Sequence, residues 1–143
     1  MNKKKKEKLT ILKKGHSCYP SSPCDARIET FKNPRMDSDY TVEFATDEFT
    51  SLCPVTSQPD FARIEISYCP AEKCIESKSL KLYLFSYRNF EGFAEDIINR
   101  ILKDLSKACR PKWMEIEGVF TPRGGISIKV ISEYNSKKKG KIK

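Results

Sequence analysis

Cys53 stands in the run Phe49-Thr50-Ser51-Leu52-Cys53-Pro54-Val55-Thr56-Ser57-Gln58-Pro59-Asp60-Phe61, among hydroxyls and followed by two prolines. A cysteine in a polar loop can be held partly exposed, and its thiolate is the most nucleophilic side chain available near neutral pH. Asp60, seven residues on, can carry a proton to or from a reacting group. The same two residues also read as an inert small side chain and a strand-capping carboxylate, and spacing alone leaves both readings open. In Glu76-Ser77-Lys78-Ser79-Leu80-Lys81-Leu82-Tyr83, lysines and hydroxyls gather at a predicted helix start. Free N–H groups and partial positive charge there suit a phosphate, although an ordinary capped amphipathic helix needs the same residues. Arg123-Gly124-Gly125 lets backbone approach a ligand while arginine forks onto a phosphate; a plain hairpin turn accounts for it too. Glu95, beside Ala94, can accept hydrogen bonds from a purine-like base edge or simply face solvent.

These groups need elements to hold them. Tyr40 to Phe44 alternates as a short strand, and Thr50 to Asp60 reads as a proline-punctuated loop. Phe61 to Tyr68 alternates clearly, with Ala62, Ile64, Ile66 and Tyr68 on one face. Leu80, Tyr83, Leu84 and Tyr87 repeat at helical spacing, as do Ala94, Ile97, Ile98, Ile101, Leu102 and Leu105, with Gly92 near the join and Pro111 beyond the second helix. Trp113 to Phe120 and Ile126 to Ile131 then read as strands joined by Thr121 to Gly125. The order ββααββ predicts an α+β fold, an antiparallel four-stranded sheet with both helices on one face. Its long edge strands favour edge-to-edge association into a ring or barrel.

A chain of 143 residues with 38% hydrophobic composition has room for one core. The expected division is a basic, loop-rich segment over 1–37, a catalytic domain over 38–134 and a basic tail over 135–143. Of the net charge of +8, the run Lys3 to Lys8 holds +4 and Lys137 to Lys143 holds +5, leaving the body at −1. The charge therefore describes the tails, and no stable nucleic-acid complex is expected. No apolar run reaches the ~20 residues that cross a bilayer, and a lysine cluster with no hydrophobic stretch behind it begins the chain. A cytoplasmic protein with reduced thiols is the expectation for its six cysteines. His16, Cys18 and Cys24 match no zinc spacing, so no metal is expected.

CPVTSQPDF, ESKSLKLYLFSYRN, FAED and FTPRGGISI, in that order, resemble the unimodular NADPH-dependent 7-cyano-7-deazaguanine reductases of the queuosine pathway of tRNA modification. The resemblance covers roughly residues 38 to 132. It implies a tunnelling fold whose sheets join between subunits into a barrel, a homo-oligomer with sites between neighbours, and NADPH as cofactor. Cys53 then matches the residue that attacks the nitrile carbon to form a thioimide, and Asp60 the acid that protonates nitrogen. Ile75, Glu76, Ser77, Ala94 and Glu95 match positions that bind the 7-deazaguanine substrate. Lys78, Ser79 and Lys81, with Arg123, Gly124 and Gly125, fall on the cofactor side. The family usually reads Phe-His-Glu where this chain has Phe93-Ala94-Glu95, so an imidazole is missing. Rival readings are the related amidinotransferases, which need no NADPH; GTP cyclohydrolase, whose zinc chemistry relies on histidines that this chain lacks; and a non-enzymatic RNA-binding module using the lysine tails.

Overall fold

Ala62, Ile64, Ile66 and Tyr68 are all buried on one face of their strand, which sits inside a sheet because only an interior strand finds partners on both sides. The computed structural model describes residues 9–11, 15 and 17–138. The lysine runs at 3–8 and 139–143, and His16, lie outside the described residues. The elements are β1 (Thr30–Lys32), β2 (Val42–Leu52), β3 (Pro59–Cys69), β4 (Lys73–Ile75), α1 (Ser77–Phe85), α2 (Ala94–Cys109), β5 (Trp113–Arg123) and β6 (Ile126–Asn135), with a 3₁₀ turn at Ser86–Asn89 between the helices.

The main sheet is antiparallel in the order β2-β3-β5-β6. Its inner face offers Phe49, Ala62, Ile64, Ile66, Tyr68, Met114, Ile116 and Phe120 to the helices. The 3₁₀ turn and α1 lie over β2, and α2 lies over β5 and β6. The stripe Ile97, Ile98, Ile101, Leu102 and Leu105 of α2 is buried against that face, as its helical spacing requires. Arg110 ends the helix in the left-handed region at φ 46°, and Pro111 prevents its continuation. The expected α+β arrangement of four strands and two helices is therefore observed.

Three differences from the sequence reading have local causes. Strand pairing runs through Leu52 on β2 and starts at Pro59 on β3, so the loop predicted from Thr50 to Asp60 shrinks to residues 53–58. β5 likewise continues through Arg123, and the turn is only Gly124-Gly125, at φ +56° and +75°. Two successive positive φ values fit the primed turns that match strand twist. Finally, β1 and β4 form a small second sheet with Thr30 opposite Ile75. Tyr87 of the first helical stripe lies in the 3₁₀ turn, where its ring packs edge-on against Tyr83 and its hydroxyl is 2.8 Å from that of Tyr83.

Gly118 sets the distance between α2 and the sheet. A Cβ there would come within 2.4 Å of Cδ1 and 2.9 Å of Cγ1 of Ile98, a residue with no exposed surface. Gly118→Ala should lower unfolding stability by about 1–3 kcal/mol through overpacking, and Ile98→Val in the same chain should recover part of the loss. Denaturant midpoints measure both effects; an unchanged midpoint for Gly118→Ala contradicts the close approach.

Candidate active site

Residues directly opposite each other in an antiparallel pair share a face, and residues two apart on one strand share it as well. Thr46 pairs with Ile64 and Phe49 with Ala62, so an extra residue lies between Thr46 and Phe49 on β2. A bulge of this kind changes the phase of the strand. Beyond it Phe49 faces the core, and Ser51, opposite Asp60, follows onto the same side. A second bulge lies on the other flank of β3. Phe120 pairs with Ile128 and Arg123 with Ile126, so Arg123 is turned onto the face of Phe120 instead of its reverse.

Cys53 is the first residue after β2. Its N–H donates to the Gln58 carbonyl at 2.9 Å, and its own carbonyl accepts from Ser57 N–H at 2.9 Å, closing a tight loop in which Ser57 takes φ 55°. The Ser57 hydroxyl donates to Glu91 at 2.9 Å. Leu52 N–H donates to the Phe90 carbonyl and Gly92 N–H to the Leu52 carbonyl, at 2.9 and 3.1 Å. These bonds dock the entry to α2 beside Cys53. Cys53, Asp60, Ala94, Glu95 and Arg123 consequently line one cavity of about 200 Å³, walled by Phe93, Phe120 and Ile128.

Inside it, Arg123 Nη2 lies 2.5 Å from Asp60 Oδ1 and 3.5 and 3.4 Å from the carbonyls of Gln58 and Pro59. The Cys53 thiol is drawn down to about 7, first by the Thr56 hydroxyl, then by the N–H groups of Thr56 and Val55, with Arg123 adding to them against partial desolvation. Burial instead pushes Cys109 up to about 12. Cys69 and Cys74 are buried, Cys18 lies exposed elsewhere, and Cys24 is exposed with the Arg100 guanidinium 3.2 Å from its sulfur; Cys53 is the thiol that lines this cavity and meets several donors that favour the thiolate. Thr56 went unnoticed in the sequence. Its signal was a hydroxyl three residues after the cysteine, in a turn started by proline.

The remaining candidates gather at the start of α1. Glu76 caps that helix, its two carboxylate oxygens each 2.8 Å from the N–H groups of Lys78 and Ser79. Ile75 is buried at the end of β4, where its N–H donates to the Tyr68 hydroxyl at 2.9 Å. Ser79 is fully buried; its hydroxyl accepts from Glu29 N–H and donates to the Glu76 carbonyl, both at 2.9 Å, so it ties the helix start to the chain before β1. Ser77 and Lys81 line a cavity of about 400 Å³ with Tyr19, Phe44, Phe85 and Arg88. Lys78 borders a different hollow beside Arg27. Ammonium groups, hydroxyls and aromatic faces around α1 form a donor set that suits a phosphate-bearing, ring-containing cofactor. Gly124 and Gly125 sit at an open hairpin tip, where nothing would meet an added Cβ. Within one chain the structure thus groups Arg123 with Cys53 and Asp60, away from the α1 lysines.

A family model described as QueF-like protein matches residues 59–139. The NADPH-dependent 7-cyano-7-deazaguanine reductase of Parabacteroides distasonis is 51% identical over 134 residues, spanning 94% of this chain and 85% of that one. The protein of the same description from Streptococcus thermophilus is 51% identical over 130 residues, spanning 91% and 80%. Among solved structures, the apo archaeosine synthase QueF-Like superposes with a TM-score of 0.63 at 22% identity, over 67% of this chain and 94% of that one. That likeness concerns the fold, and the α+β unit is a tunnelling fold.

Only the thiolate of Cys53 reacts with an alkylating agent, and its fraction grows as pH rises through the thiol's pKa. Alkylation by iodoacetamide, followed by mass at Cys53, should therefore rise with a midpoint near pH 7. Thr56→Val removes the largest favourable donor, so the midpoint should move up and the rate at pH 7 fall several-fold. A wild-type midpoint at the ordinary thiol value of about 8.5, or an unmoved midpoint in the variant, contradicts this account of the loop.

Proposed function

We propose, from the premise that the chain belongs to the QueF-like protein family, that it reduces the nitrile of 7-cyano-7-deazaguanine to the aminomethyl base with NADPH, in queuosine biosynthesis. The observation that carries the reading is Cys53: a partly exposed thiol, drawn down to about 7, sharing one cavity with the Asp60 carboxyl. A nitrile accepts hydride poorly until a nucleophile adds to it. The Cys53 sulfur forms a bond to the nitrile carbon as one C–N π bond breaks, and Asp60 delivers a proton to the nitrogen, leaving a thioimide. Bound NADPH supplies hydride, two equivalents being needed to reach the amine. Between them the carbon–sulfur bond breaks, Cys53 leaves as thiolate, and the walls of the cavity keep water from the imine.

Glu95 in the Cys53 cavity, and Glu76, Ser77 and Ile75 at the start of α1, are the proposed contacts to the deazaguanine. An ionised carboxylate has about four acceptor directions, so Glu76 can cap α1 and still meet a base edge. Lys78 and Lys81 are the proposed partners of the cofactor phosphates, with Ser79 holding the helix start that presents them. The cavity around Cys53, about 200 Å³, falls below the roughly 300 Å³ at which small-molecule sites begin. That shortfall, the separate placement of the two residue groups, and the long β2 and β6 edges support a homo-oligomer whose neighbouring subunit completes the site. No described helix is long and apolar enough to cross a membrane; the cytoplasm is the proposed location, with no nucleic-acid complex required.

Nitrile-dependent oxidation of NADPH, followed at 1:2 stoichiometry, tests the reading. Cys53→Ala should show none, and Asp60→Asn should bind the base yet turn over roughly 100-fold more slowly, the usual scale for losing a positioned acid. Absence of substrate-dependent NADPH loss in the wild type returns the chain to the amidinotransferase or binding-module readings. Near-normal turnover by Asp60→Asn makes that residue structural.

A further inference from the structure

Arg123 has a setting that its place beside a hairpin turn does not explain. The bulge between Phe120 and Arg123 costs β5 a regular pairing step, and its effect is to turn this one side chain onto the helix-facing side. There its Nη2 meets the base of the Cys53 loop, paired with Asp60 and 3.5 and 3.4 Å from the carbonyls of Gln58 and Pro59. Among the described residues that line the cavity, Arg123 alone is cationic, facing the carboxylates of Asp60 and Glu95; Glu91 touches the same loop through Ser57. Position 94, at the entry of α2, carries alanine and adds no charge. The Asp60 carboxyl thus shares a cavity with the Cys53 thiol and is ion-paired there; an unpaired negative charge at that place would oppose ionisation of the thiol.

We infer that Arg123 is a positioning residue for both reacting groups: its guanidinium holds Asp60 at the loop base through Nη2 and places positive charge beside Cys53, so that the thiolate and the Asp60 carboxyl can share one small cavity. The inference rests on the reading of Cys53 as nucleophile. The ion pair is partly exposed, 40% for Arg123 and 23% for Asp60, so its weight for folding is small and its consequence is local charge. When a substrate nitrogen takes up the Asp60 proton, the guanidinium is already placed to pair with the carboxylate left behind.

The test uses the full-length protein without NADPH or nitrile, so it does not depend on turnover. Cys53 alkylation by iodoacetamide is measured against pH in the wild type, Arg123→Gln, Arg123→Lys and Arg123→Gln/Asp60→Asn, with unfolding midpoints recorded for each. For Arg123→Gln the alkylation midpoint should rise, with the rate at pH 7 down about 2- to 3-fold, a smaller change than for Thr56→Val, whose hydroxyl is the larger donor. Arg123→Lys, which keeps charge and loses the planar guanidinium, should fall between. Removing the Asp60 charge in the double variant should restore much of the rate. Should Arg123→Gln and Arg123→Lys both trace the wild-type profile, Arg123 does not act on Cys53 and the inference is overturned. A loss of rate that the double variant fails to restore also overturns it. A wild-type thiol with no midpoint near 7 would instead remove the reading of Cys53.

Discussion

A β-strand offers each side chain to one of only two faces, and Cys53, Asp60 and Arg123 belong to three neighbouring strands or their ends. Their meeting depends on the phase of those strands. β3 keeps strict alternation from Asp60 through Tyr68, while β2 and β5, its two neighbours, each carry one bulge near the same end of the sheet. Without the β2 bulge Phe49 would point away from the core and Ser51 away from Asp60. Without the β5 bulge Arg123 would point away from Cys53 and Asp60. The two extra residues therefore set the polar end of a sheet whose other end is a hydrophobic core.

That division is visible along the inner face. Tyr68, Ile66, Ile64 and Ala62 lead toward Asp60 on β3, and Met114, Ile116, Gly118 and Phe120 lead toward Arg123 on β5. α2 packs closely on the apolar part, its approach set by Gly118, and its first residues reach the polar part because Leu52 holds Phe90 and Gly92. Ser51, opposite Asp60, has a fully buried hydroxyl without a hydrogen-bond partner among the described residues.

Periodicity made β3 and α2 legible, because Ala62 to Tyr68 and Ile97 to Leu105 each follow one period throughout and bury one face. It could not show where β2 ends. Alternation counted in twos breaks at Asp47-Glu48, inside the bulge, so the strand reads as stopping early and the loop as too long. Three-residue strands carry no period at all, which hid β1 in proline-rich chain. The candidate residues were legible through their motifs, whereas their grouping was not. Arg123 stands beside two glycines in sequence and beside Asp60 in space, and only the register of β5 with β6 connects the two facts. Ser79 looked like a ligand group in its motif and is a buried tie to Glu29.

The central claim is that Cys53 bonds covalently to the nitrile carbon. Intact mass of the wild-type protein mixed with 7-cyano-7-deazaguanine and no NADPH measures it most directly. One added base per subunit, mapped by peptide digestion to Cys53 and discharged when NADPH is supplied, is the predicted result. No added mass under conditions where the base binds, or an adduct on Cys69 or Cys74, would contradict the account.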